Sequence, residues 1–73
     1  MLKEKIHLPY EKFKRWLAGN GLTYKDIAMD LGVSIATISA KINGQSDFSL
    51  SEVRLLENKY QIDSNIFFND FVA

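Results

Sequence analysis

The sequence predicts an all-α domain, a compact bundle of five short helices. Three observations carry that expectation. A helix-start pattern recurs along the chain: an apolar residue, a Ser, Thr or Asp cap, three more residues, then a second apolar residue. Glycines follow the first three helical stretches, at Gly19-Asn20-Gly21, Gly32 and Gly44, where a helix exit needs a left-handed residue. No segment alternates apolar and polar side chains long enough to make a strand. Seventy-three residues, 47% of them hydrophobic, suit one globular domain and exclude a multi-domain enzyme. A chain this short buries only roughly 60% of its unfolded surface, so its stability margin is thin.

The first helix is expected over 9–18. Pro9 opens it, where the missing N–H costs nothing, and Gly19-Asn20-Gly21 closes it. Tyr10, Phe13 and Leu17 form its apolar stripe, and Trp16 reads as partly buried packing. The second helix, 24–31, starts at Leu22-Thr23 with Ile27 and stops at Gly32. Val33-Ser34 with Ile38 starts the third, 34–42, which Gly44 ends. The fourth, 50–59, begins at Phe48-Ser49 with Val53, and Ser49 with Glu52 forms a capping box. Val53, Leu56 and Tyr60 give it an apolar stripe. The fifth, 64–70, begins at Ile62-Asp63 with Phe67. Residues before Pro9 read as a short basic arm, with His7 exposed to solvent.

Composition narrows the function classes. There is no cysteine, so disulfides and thiolate metal sites are excluded, and one histidine cannot by itself make a zinc site. The sequence has no nucleophile–base pair, no paired carboxylates in a plausible pocket and no phosphate-cradling glycine loop. The expectation is therefore a non-enzyme without cofactor or metal. No apolar run exceeds four residues, which predicts no membrane partner and a soluble, cytoplasmic protein. The formal net charge is zero, but residues 1–15 sum to +3 and residues 47–73 to −3. Only the basic end suits phosphate, and the competing reading is a solvated surface with chance asymmetry.

The centre of the chain, Leu22 to Gly44, reads LTYKDIAMDLGVSIATISAKING. Ala28 is small where two helices would cross most closely, Gly32 permits a sharp turn, and Ser34 caps the second of the two. Ile27, Leu31, Val33 and Ile38 have the spacing that packs both helices on one core. These features in register spell a helix-turn-helix, against the plainer alternative of a helical hairpin in a small bundle. The segment resembles the Cro/CI-type helix-turn-helix family of phage and bacterial transcription regulators. The likeness continues through Asn43-Gly44 and Phe48-Ser49-Leu50-Ser51-Glu52-Val53, covering roughly residues 9–68. Small phage proteins of lysis–lysogeny switches are the nearest comparison.

The resemblance implies that the second helix of the motif enters the DNA major groove. By position, Ile35, Ala36 and Thr37 would open the base-facing surface, with Ser39, Ala40 and Lys41 further along. Tyr24 stands where many members have a phosphate-touching glutamine, and Asn43 matches a backbone-contacting position. Lys25, Ser34, Gln45 and Ser46 would add backbone contacts. The implied partner is a double-stranded DNA operator bound by a homodimer. The sequence departs from the pattern at Ile35 and Ala36, which offer no paired hydrogen bonds and suit only a thymine methyl or an apolar surface. Lys41 occupies a position that the family more often fills with a core residue. These departures leave a second reading: an antirepressor-like regulator whose fold binds a partner repressor protein. Its interface would draw on Ile35 and the Phe67, Phe68 and Phe71 cluster, since so many phenylalanines exceed what a small core needs.

Overall fold

The computed structural model describes residues 5–67, for Ser64 and Phe67 the backbone only. The chain runs α1 (Glu11–Gly19), α2 (Tyr24–Leu31), α3 (Ile35–Asn43), α4 (Leu50–Tyr60) and a 3₁₀ turn (Ser64–Phe67). Among the described residues there is no strand, and the all-α class holds. The expected fifth helix is instead the single 3₁₀ turn. The Asp63 carboxylate accepts from Asn65 N–H at 2.9 Å, and Ile66 N–H reaches the Asp63 carbonyl three residues back. That pairing winds the chain more tightly than an α-helix. Residues 68–70 of that expectation lie outside the described residues.

Capping fixes the other starts. Thr23 accepts from Asp26 N–H while the Asp26 carboxylate accepts from Thr23 N–H at 2.8 Å, a second capping box beside that of Ser49 and Glu52. Ser34 Oγ accepts from Thr37 N–H at 3.0 Å. α1 lacks a side-chain cap and begins two residues later than Pro9, because Tyr10 is non-helical and gives its N–H to the Ile42 carbonyl at 2.9 Å. The turn between α2 and α3 closes where Gly32, at φ +71°, and Val33 both donate to the Ala28 carbonyl. At φ +71° a side chain would be strained, which is why glycine stands there.

Phe13, Ile27, Ile38, Ile42 and Leu56 are fully buried, and Tyr10, Leu17, Ala28, Phe48 and Ile62 complete the core. Every α-helix contributes, and α2 packs directly on α3. Trp16 lies half-buried at the edge of this core, stacked on Phe13 with centroids 5.9 Å apart and edge-on to Tyr60 at 5.4 Å. Polar links tie α4 to the motif. Asp30 on α2 accepts from Lys59 at 2.5 Å and from the Tyr60 hydroxyl. The Lys41 ammonium on α3 lies 2.7 Å from the Glu52 carboxylate.

Candidate functional site

The functional side chains stand on α3 and on the segments at its two ends. At 100° per residue, positions 35, 36, 39, 40 and 43 span an arc of about 140° on α3, and the fully buried Ile38 and Ile42 lie just past the Ile35 edge of that arc. Ile35 is 49% exposed, Ala36 is exposed, and Ser39, Ala40 and Asn43 are partly exposed. This surface is small and nearly neutral.

Its polar groups are largely engaged with one another. Ser34 Oγ and Thr37 Oγ1 share a hydrogen bond at 2.8 Å. Asn43 Nδ2 donates to the Ser39 carbonyl at 2.9 Å and approaches Ser39 Oγ at 3.3 Å. Lys41 does not sit on the exposed side. It reaches across to Glu52 with its side chain 15% exposed, and its ammonium lies 5.8 Å from the centre of the Phe48 ring. Burial alone would raise the Glu52 carboxyl, but the Lys41 ammonium and the Ser49 donors outweigh it and hold it below the usual range. Asp30 behaves alike: burial opposes ionisation, and Lys59 and Tyr60 overcome it. In return, burial first and then the Asp30 carboxylate push the Tyr60 phenol up to about 12.

The expected backbone-contacting residues divide. Lys25 at the start of α2 and Gln45 after α3 are exposed, and Ser34 is exposed at the N-terminus of α3. Tyr24 is half-buried with its ring packed against the core. Asn43 is held by Ser39, and the Ser46 carbonyl is taken by His7. Of the expected protein-interface residues, Ile35 is on the α3 surface, whereas the Phe67 side chain, Phe68 and Phe71 lie outside the described residues.

The structure corrects the expectation of an exposed His7 in the segment before α1. His7 packs inward with its side chain 15% exposed. Its ring stacks on Tyr10 at 4.3 Å, and its nitrogens lie 2.6 Å from the Leu8 carbonyl and 2.7 Å from that of Ser46. The physical reason is aromatic area: the Tyr10 face offers the imidazole a partner, and the turn after α3 offers it a carbonyl. Asp47 adds a carboxylate that accepts from the Tyr10 hydroxyl at 2.5 Å and lies 3.6 Å from His7. Burial and then Asp47 push the Tyr10 phenol well above its ordinary value. No spacing rule connects residue 7 to residue 46, so the sequence carries no signal for this contact.

A family model described as helix-turn-helix matches residues 13–67, from the first buried phenylalanine of α1 to the end of the 3₁₀ turn. Comparisons with curated proteins and with solved structures give no match.

Proposed function

Because the chain belongs to the Cro/CI-type helix-turn-helix family, we propose that it is a sequence-specific transcriptional regulator that lays α3 in the DNA major groove. The observation that supports this best is the exposed arc of α3, held outward by the buried Ile38 and Ile42 beside it and by a capped, glycine-turned junction with α2. Ile35, Ala36, Ser39 and Ala40 face base edges, with Thr37 at the margin. Ile35 and Ala36 make apolar contact with thymine methyl groups, the one base-edge feature such side chains recognise. Lys25, Gln45 and the free N–H groups at the Ser34 end of α3 meet the phosphates, while Tyr24 beside Lys25 in sequence packs at the core margin.

Two copies would place their α3 helices in successive major grooves of a two-fold operator, about 34–36 Å apart. A lysis–lysogeny setting is what the resemblance to small phage regulators supports, and the cytoplasm is where such a protein acts. The half-exposed Ile35 also supports the second reading, docking into an apolar groove of a partner repressor.

The test is fluorescence anisotropy with duplexes from beside the gene, at low and near-physiological salt, with no other protein present. Tight binding to one fragment at the higher salt is the expected result. Weak, sequence-indifferent binding that vanishes with salt overturns the DNA reading. In that case Ile35→Asp would abolish complex formation with a partner protein instead.

A further inference from the structure

We propose that the arm formed by residues 5–10 is a part of the DNA interface, delivering Lys5 to a phosphate beside the turn that leaves α3; this rests on the DNA reading of α3. The arm lies outside the residues that the family model matches.

Three hydrogen bonds pin it to the segment leaving α3. Ile6 N–H donates to the Gly44 carbonyl at 2.6 Å, Tyr10 N–H to the Ile42 carbonyl at 2.9 Å, and His7 Nε2 lies 2.7 Å from the Ser46 carbonyl. Gly44 makes room for the crossing. A Cβ there would lie 2.1 Å from the His7 carbonyl oxygen and 3.5 Å from Lys5 Cβ, so the lysine stem starts directly over this glycine.

Apart from the exposed Gln45 side chain, the turn itself has little left to offer a phosphate. The N–H groups of Gly44, Gln45 and Ser46 all converge on the Ala40 carbonyl, and Asn43 is spent on Ser39. The ammonium of Lys5 replaces the donors that the turn has used internally. Lys5 is exposed, and no carboxylate pairs with it among the described residues. Its task is electrostatic and indifferent to sequence, as a phosphate contact should be.

The experiment measures binding of the full chain to its best duplex and to an unrelated one across a salt series. Lys5→Ala is expected to weaken both equally, by about eightfold at 0.1 M salt, and to make the log K against log salt slope shallower by about 0.9. Lys5→Arg restores both. His7→Ala, with folding checked by circular dichroism, is expected to reproduce the loss by releasing the arm. If Lys5→Ala leaves the slope unchanged while Lys25→Ala makes it shallower, the arm proposal is wrong and the DNA reading stands. If the unaltered chain binds neither duplex, both fall.

Discussion

Removing the Lys41–Glu52 pair separates stability from recognition. The two groups meet at 2.7 Å with side chains 15% and 21% exposed, so water screens the pair less than it would a surface one. Exposed pairs contribute about 0.2–1 kcal/mol, and hydrogen bonds to charged groups about 1.5–3 kcal/mol. An intermediate site should therefore show a coupling of about 1 kcal/mol in a double-mutant cycle. Glu52→Gln leaves the ammonium without its partner while the amide oxygen can still accept from Ser49 N–H. Lys41→Met keeps the stem beside Phe48 and leaves Glu52 its capping role. Each single change should lower stability by about 1–2 kcal/mol, or the melting temperature by roughly 4–8 °C per kcal/mol in a domain of this size. Urea unfolding followed by circular dichroism gives the four corners of the cycle. The order in which Lys41→Met prefers different duplexes should match that of the unaltered chain. A coupling below about 0.3 kcal/mol, within the additivity error of such cycles, would refute the energetic argument. A changed order of duplexes would refute the placement of Lys41 away from the bases.

Three further outcomes are expected from the same geometry. Glu52 and Asp30 titrate below their ordinary values in the fold, so their stabilisation is complete above the unfolded range near about pH 4 and is lost as pH falls through the lowered folded values. Acid unfolding monitored by circular dichroism should begin in that window, and Glu52→Gln should flatten it. Gln61 holds φ +56° at the end of α4, where a side chain is strained. Gln61→Gly should therefore gain about 0.5–1 kcal/mol in urea unfolding, and a loss would mean that the Gln61–Asn58 hydrogen bond outweighs the strain. Replacing thymine by uracil in the best-bound duplex removes only the methyl group, and should cost about fourfold per contacted base, from about 0.8 kcal/mol per buried methyl-sized group. The penalty should disappear in Ile35→Ala, and anisotropy reads both.

Local chemistry makes most of the fold legible. Thr23, Ser34 and Ser49 cap where their spacing from Ile27, Ile38 and Val53 requires, and Gly32 and Gly44 adopt the left-handed exits expected of them. The Thr23–Asp26 capping box is less plain in the sequence, because aspartate stands in the place usually held by glutamate or glutamine. Past Asp63 local signals mislead. A cap residue and an apolar partner are present, but the Asp63 carboxylate captures Asn65 N–H and the backbone tightens into a 3₁₀ turn. The exposed side of α3 is readable from the motif, whereas the fate of its polar groups is not. Whether Lys41 faces groove or core depends on Glu52, eleven residues away, and whether Asn43 is available depends on Ser39. The docking of His7 is harder still, since it joins residues 39 apart in sequence.

Trp16 is the chain's single tryptophan, and its ring is held between a phenylalanine of its own helix and Tyr60 of α4. Its emission is therefore a label-free optical gauge of one particular seam, the contact of the first and last α-helices. Helix content measured by circular dichroism averages over all four. If the two signals lose amplitude at the same urea concentration, the domain melts as one unit; if the emission shifts first, the seam opens while α2 and α3 are still wound.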